Sequence, residues 1–168
     1  MRIAFIGQKG IPARSGGVEK HVERIAVSMA QAGHEVTVYA RAHYTGNTDP
    51  HFHGVSIVYL PSIRTKHLEA ISHTLISTLH ALFQRYDVLH FQSIGPSIFS
   101  VLPRIFRPDI RVIATFHSRD YFHQKWNRFA RWFLRVAERI TCVIPEKTIV
   151  ISETLEKYAR DTYQKSFP

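Results

Sequence analysis

The chain has 168 residues, 45% of them hydrophobic, and carries 22 Lys and Arg against 13 Asp and Glu, a formal net charge of +9. That size fits one domain with a proper core, and a single cysteine, Cys142, excludes an intramolecular disulfide and points to a reducing cytoplasm. The opening MRIAFIG runs into a strand with no signal peptide, and no apolar run approaches the roughly 20 residues that a membrane-spanning helix needs.

The first expected strand, Arg2–Ile6, leads through a loop holding Gly7, Gly10, Gly16 and Gly17 into an amphipathic helix over Val18–Ala32. Glycines let a ligand approach bare backbone, and the free N–H groups and positive end of the following helix favour an anion. Strand, glycine-rich loop and helix read as a phosphate-handling site; a long loop whose glycines only satisfy turns is the alternative. The spacing G-x-x-G-x5-G-G is not the G-x-G-x-x-G of a dinucleotide site, and the second strand, Glu35–Ala40, ends at Arg41 rather than an acid. A Walker G-K-[ST] is also missing.

Further strands are expected at Val55–Tyr59, Val88–Phe91, Arg111–Phe116 and Thr148–Ile151, with helices over Lys66–Arg85, Ile94–Phe106, Lys125–Arg139 and Glu153–Tyr163. Alternation of this kind predicts an α/β fold, a Rossmann-like parallel sheet flanked by helices. Ligands of such sheets bind beyond the C-terminal strand ends. The segments there are the glycine loop, Arg41 to Tyr44, Pro61 to His67 with Arg64 and Lys66, Gln92 to Gly95, and His117 to Asp120. In Lys125–Arg139 the apolar spacing of Phe129, Trp132, Phe133, Val136 and the following Ile140 predicts a stripe packed on the sheet, beside four solvated arginines whose basic edge meets a membrane. The Lys66–Arg85 stripe, with Leu68, Ile71, Leu75, Leu79 and Leu82, is likewise expected in the core. Cys142 reads as a packed apolar residue. The eleven histidines lack metal-site spacing, so no metal is expected. The charge calls for an anionic partner; no nucleic-acid motif is present, and lipid headgroups or lipid pyrophosphates fit better.

The run IGQKGIPARSGGVEKHVERIA resembles the opening of the family 4 GT-B glycosyltransferases, and among them a bacterial subgroup with rhamnosyltransferases and related enzymes of surface-polysaccharide assembly. GHEVTVYAR, YDVLHFQSIGPSIFS, TFHSRDYFHQKWNRFARWFLRVAER and IVISETLEKY extend the resemblance over nearly the whole chain. The resemblance implies the N-terminal, acceptor-binding half of a GT-B fold over residues 1–168, with the C-terminal donor-binding domain absent. It implies a retaining, metal-independent transferase that moves a sugar from a nucleotide-sugar, bound mainly by the missing domain, to a lipid-linked saccharide. This chain alone would be inactive.

By motif match His117 contacts the donor sugar beside the reacting carbon, while Ser118 stands where the family often has glycine. His90 and Gln92 match the acceptor-pocket end of the fourth strand, although His90 also reads as a core histidine. Gly16 and Gly17 would meet donor diphosphate or acceptor, with Arg14, Glu19 and Lys20 adjacent; Glu19 alternatively favours the first helical turn. The implied partners are the acceptor, a separate C-terminal GT-B chain, an anionic membrane on the inner face of the plasma membrane, or a second copy through the interdomain face. Two other classes remain: a non-catalytic interaction or membrane-binding module, and a nucleotide-dependent oxidoreductase domain.

Overall fold

The computed structural model describes residues 1–46, 48–65, 68–119 and 128–164. Its elements begin with β1 (Arg2–Ile6), α1 (Gly17–Gln31), β2 (Glu35–Ala40), α2 (Ala42–Thr45), β3 (His51–Phe52), β4 (Val55–Tyr59) and α3 (Leu68–Leu82). They continue with β5 (Val88–Gln92), α4 (Ile94–Ser97), α5 (Val101–Phe106), β6 (Arg111–Phe116), α6 (Arg128–Val143), β7 (Lys147–Val150) and α7 (Glu153–Tyr163). Among the described residues one seven-stranded sheet forms, in the order β3-β4-β2-β1-β5-β6-β7. All pairings are parallel except β3 with β4.

Alternation along the strands divides the core. Ile3, Phe5, Val36 and Val38 pack with Val22 and Ala26 of α1 on one side, while Ala4, Ile6, Leu89, Phe91, Val112 and Ala114 pack with Ala81 of α3 on the other. Burial on both faces explains why β1 reads as a continuous apolar run. The chain winds outward from β1 through β2 and β4, then returns to place β5 against β1. The switch point therefore lies between the C-terminal ends of β1 and β5.

The structure adds two short elements and moves several boundaries. The β3–β4 hairpin turns on His53 and Gly54, both at positive φ (47° and 83°), a pairing the usual Asn-Gly signal does not cover. The helix expected over Ile94–Phe106 is broken: α4, a 3₁₀ turn at Ile98–Ser100, then α5. Pro103 has no N–H to give the Phe99 carbonyl, so one continuous helix is not favoured. α3 stops at Leu82 rather than Arg85, and α6 runs on to Val143 rather than Arg139. The expected starts of these two helices, at Lys66 and Lys125, lie outside the described residues.

The stripes on α3 and α6 require correction. The faces turned to the core are His73, Thr74, Ser77, Thr78, Ala81 and, as expected, Leu82 on α3, and Leu134, Ala137, Glu138, Thr141 and Cys142 on α6. The threonine hydroxyls on these faces close on their own helix, Thr74 on Ala70 O, Thr78 on Thr74 O and Thr141 on Ala137 O, at 2.7–2.8 Å, while Ser77 Oγ has no partner among the described residues. Leu68, Leu79, Phe129, Trp132 and Val136, expected inside, are exposed. Mostly small side chains let these helices approach the sheet, with Leu82 and Leu134 among them, and several of the larger apolar side chains are left outward. Cys142 is buried, as its surroundings predict.

Candidate functional site

Strand parity assembles the site. His90 and Gln92 share the face of Val88, and Thr115 and His117 share that of Ile113, so all four point toward α1 at the C-terminal edge. His90 Nε2 pairs with Thr115 Oγ1 at 2.7 Å, and His117 Nε2 with Gln92 Oε1 at 2.9 Å. From above, His21 on α1 meets the His117 ring edge-on, centroids 5.0 Å apart, and Phe5 lies 5.0 Å from the His90 ring. His21 was not among the expected residues. Its signal is its place one turn beyond Gly17, but its partner is set by a crossover that spacing does not reveal.

These imidazoles are held neutral. Burial, and then the neighbouring His21 and His117, push His90 down to about 3. Burial, and then His21, push His117 down to about 4, and burial lowers His21. With folded values below the free value of about 6.5, the unfolded chain takes up protons first. Stability is full above about pH 6.5 and declines as pH falls toward 4 and 3. At neutral pH His117 is not a cation: its Nε2–H donates to Gln92 Oε1, which leaves the Nδ1 lone pair to accept a hydrogen bond. Gln92 is fully buried and its Nε2 has no partner among the described residues, while its Oε1 fixes the His117 ring.

Beside the cluster, α1 opens with Gly16 and Gly17, both exposed, and open space surrounds Gly17 where a side chain would project. The glycine loop is held by neighbours. Tyr44 Oη accepts from Arg14 N (3.0 Å) and Ser15 N (2.9 Å) and donates to Ser15 O (2.6 Å); Glu23 accepts from Ala13 N at 2.6 Å. Glu19 is buried, folds back on Gly16 and accepts from Lys9 N at 3.2 Å, so it tethers the loop. Its charge opposes an anion at the helix end, and nearby Arg41 offsets it.

The other expected residues spread along the edge. Lys20 and Ser118 are exposed beside the cluster's elements, and the Arg14 guanidinium lies over Gly46. Arg64 sits exposed after β4, three strands from β5, about 14 Å by strand spacing. Lys66 lies outside the described residues. Arg41 turns inward and pairs with Glu69 at 3.2 Å, and His43 meets the same oxygen at 2.6 Å. The end of β2 therefore presents a buried cation where a dinucleotide fold presents a free carboxylate.

Comparison with known proteins agrees with this architecture. The family model described as Glycosyltransferase Family 4 matches residues 15–166. No curated protein matches the chain. Sucrose-phosphate synthase from Thermosynechococcus elongatus superposes with a TM-score of 0.74 at 18% identity, over 99% of this chain and 46% of that one. A second structure of that organism's synthase gives a TM-score of 0.62 at 20% identity, over 99% of this chain and 85% of that one. At such identities the likeness is one of fold, a GT-B half-domain. The chain spans about half the length of the first synthase structure.

Proposed function

This chain belongs to glycosyltransferase family 4, and we propose that it is the acceptor-binding half of a retaining enzyme. That enzyme passes a sugar from a nucleotide-sugar to a lipid-linked saccharide, in the manner of the rhamnosyltransferase-like enzymes its motifs resemble. A donor-binding domain, in the same polypeptide or a separate chain, holds the nucleotide. The observation that carries the reading is the neutral cluster of His21, His90, Gln92 and His117 at the switch point, beside the open N-terminus of α1.

In this role His117 takes a sugar hydroxyl by a neutral hydrogen bond, and Gln92 keeps its ring in place. Thr115 and His90 lie beneath as positioning residues. The amides of Gly17 and Val18 face the developing charge of the leaving diphosphate. Acceptor hydroxyl and anomeric carbon are held together across the cleft. Among the described residues of the cluster no carboxylate or thiol is placed as a nucleophile, which suits front-face transfer assisted by the leaving phosphate.

The test is transfer of radiolabel from nucleotide-sugars to a membrane lipid extract, with the chain alone and with a C-terminal GT-B domain. Transfer is expected with both halves and little or none with this chain alone. Lipid binding without transfer in any combination would favour a non-catalytic module.

A further inference from the structure

We propose that Glu69, in the first turn of α3, is a positioning residue for the glycine loop, acting through the one-turn helix α2 and Tyr44. Its part in transfer rests on the transferase reading of that loop; the mechanical link itself does not.

α2 spans only Ala42–Thr45, closed by Tyr44 N on Arg41 O and Gly46 N on Ala42 O, each at 3.0 Å. A helix of one turn has no stability of its own, because nucleation costs more than its few hydrogen bonds return. Ties to its neighbours therefore set its place, and they run in two directions. Toward α3, one oxygen of Glu69 accepts from Nη1 of Arg41 at 3.2 Å and from Nε2 of His43 at 2.6 Å. Burial raises the Glu69 carboxyl, but His43 and Arg41 outweigh it and hold the group below the ordinary carboxylate value. Glu69 is thus ionised at neutral pH, and its hydrogen bonds are the stronger for that charge.

Toward the glycine loop, Arg41 N donates to Lys9 O at 2.8 Å. Tyr44 Oη accepts from the amides of Arg14 (3.0 Å) and Ser15 (2.9 Å) and donates to Ser15 O (2.6 Å). The one proton and both lone pairs of the hydroxyl are all used on the loop. Arg14 and Ser15 are themselves exposed, so packing does little to fix this stretch. Ala13, one residue earlier, is held from another side: its amide donates to Glu23 of α1 at 2.6 Å. The loop is thereby divided. Ala13 is set by α1, while Arg14 and Ser15 are set by α2 and, through it, by Glu69. Gly16 and Gly17 follow at once, so the second set of ties fixes how the chain enters the open start of α1.

The test is residue-resolved amide hydrogen exchange of this chain by NMR, for Tyr44→Phe, Glu69→Gln and the two together. Tyr44→Phe removes only the hydroxyl and is expected to speed exchange at Arg14 and Ser15 about tenfold. Glu69→Gln touches neither amide, yet should speed the same two several-fold, while Ala13 keeps its wild-type rate in every variant. Because the ties act in series, the double variant should exchange no faster at Arg14 and Ser15 than Tyr44→Phe alone. In the complete transferase Tyr44→Phe is expected to lower kcat about tenfold, Glu69→Gln no more than that, and the pair no more than Tyr44→Phe, with acceptor KM unchanged. Wild-type exchange at Arg14 and Ser15 in Glu69→Gln, equal acceleration at Ala13, unchanged kcat in both single variants, or losses that multiply in the pair would each overturn the proposal. A wild-type enzyme that transfers no sugar would instead remove the transferase reading; the exchange pattern needs no substrate and still decides whether Glu69 sets the loop.

Discussion

Replacing His117 with alanine is expected to lower kcat of the complete transferase by about 10²–10³-fold, with a much smaller change in KM. The size follows from removing a fixed polar group aimed at the reacting centre. His117 is poised for that part by two neighbours. Gln92 holds its Nε2 at 2.9 Å, and His21 packs edge-on against its ring. Burial pushes its pKa down to about 4, so its contribution is a neutral hydrogen bond and stays constant from pH 6 to 8. Gln92→Leu should show a weaker loss, since it acts only through the ring it orients. Steady-state transfer of labelled sugar measures both. A His117→Ala enzyme with unchanged kcat would remove the residue from the reacting centre.

Gly7→Ala is expected to cost about 3 kcal/mol of folding stability, and so to lower the urea midpoint by about 2 M. Gly7 sits at φ 111°, and a Cβ there would lie 2.7 Å from the Gln92 carbonyl oxygen and 2.6 Å from Pro96 Cβ. One is backbone and the other a constrained ring, so neither yields cheaply. The same collision would displace the end of β5, where Gln92 orients His117. Gly17→Ala is the control: it lies in α1, and no atom of the described residues lies within 4 Å of the added methyl. Alanine there should leave stability unchanged or raise it by up to about 1 kcal/mol. A Gly7→Ala loss below about 1 kcal/mol would show that the β1–β5 junction relaxes freely.

The strands were legible because buried parallel strands are short apolar runs bounded by polar turns; β1, β2, β4 and β6 begin and end where the residues indicate. Parity was legible too. Reading Val88-Leu89-His90-Phe91-Gln92 two by two puts His90 and Gln92 on one face, and the order of β5 and β6 then brings Thr115 and His117 beside them. His21 was not legible, because its neighbour depends on how α1 crosses over β1 and β5. The stripes on α3 and α6 misled for a different reason. Periodicity finds the apolar arc of a helix but not which arc the sheet accepts. Here the arc turned to the sheet is mostly Thr, Ser and Ala with Leu82 and Leu134 among them, and Leu68, Leu79, Phe129, Trp132 and Val136 face outward. The tethering roles of Glu19 and Tyr44 were also hidden, since they depend on a loop conformation rather than on spacing.

The most direct test of the account is the histidine-resolved NMR spectrum of the chain, titrated with lipid-linked saccharides in mild detergent against detergent alone. Shifts concentrated at His21 and His117, with His34, His51 and His53 unmoved, are the predicted result and would place the sugar at the junction of α1, β5 and β6. Shifts confined to His34, His51 or His53, or none at saturating extract, would contradict it.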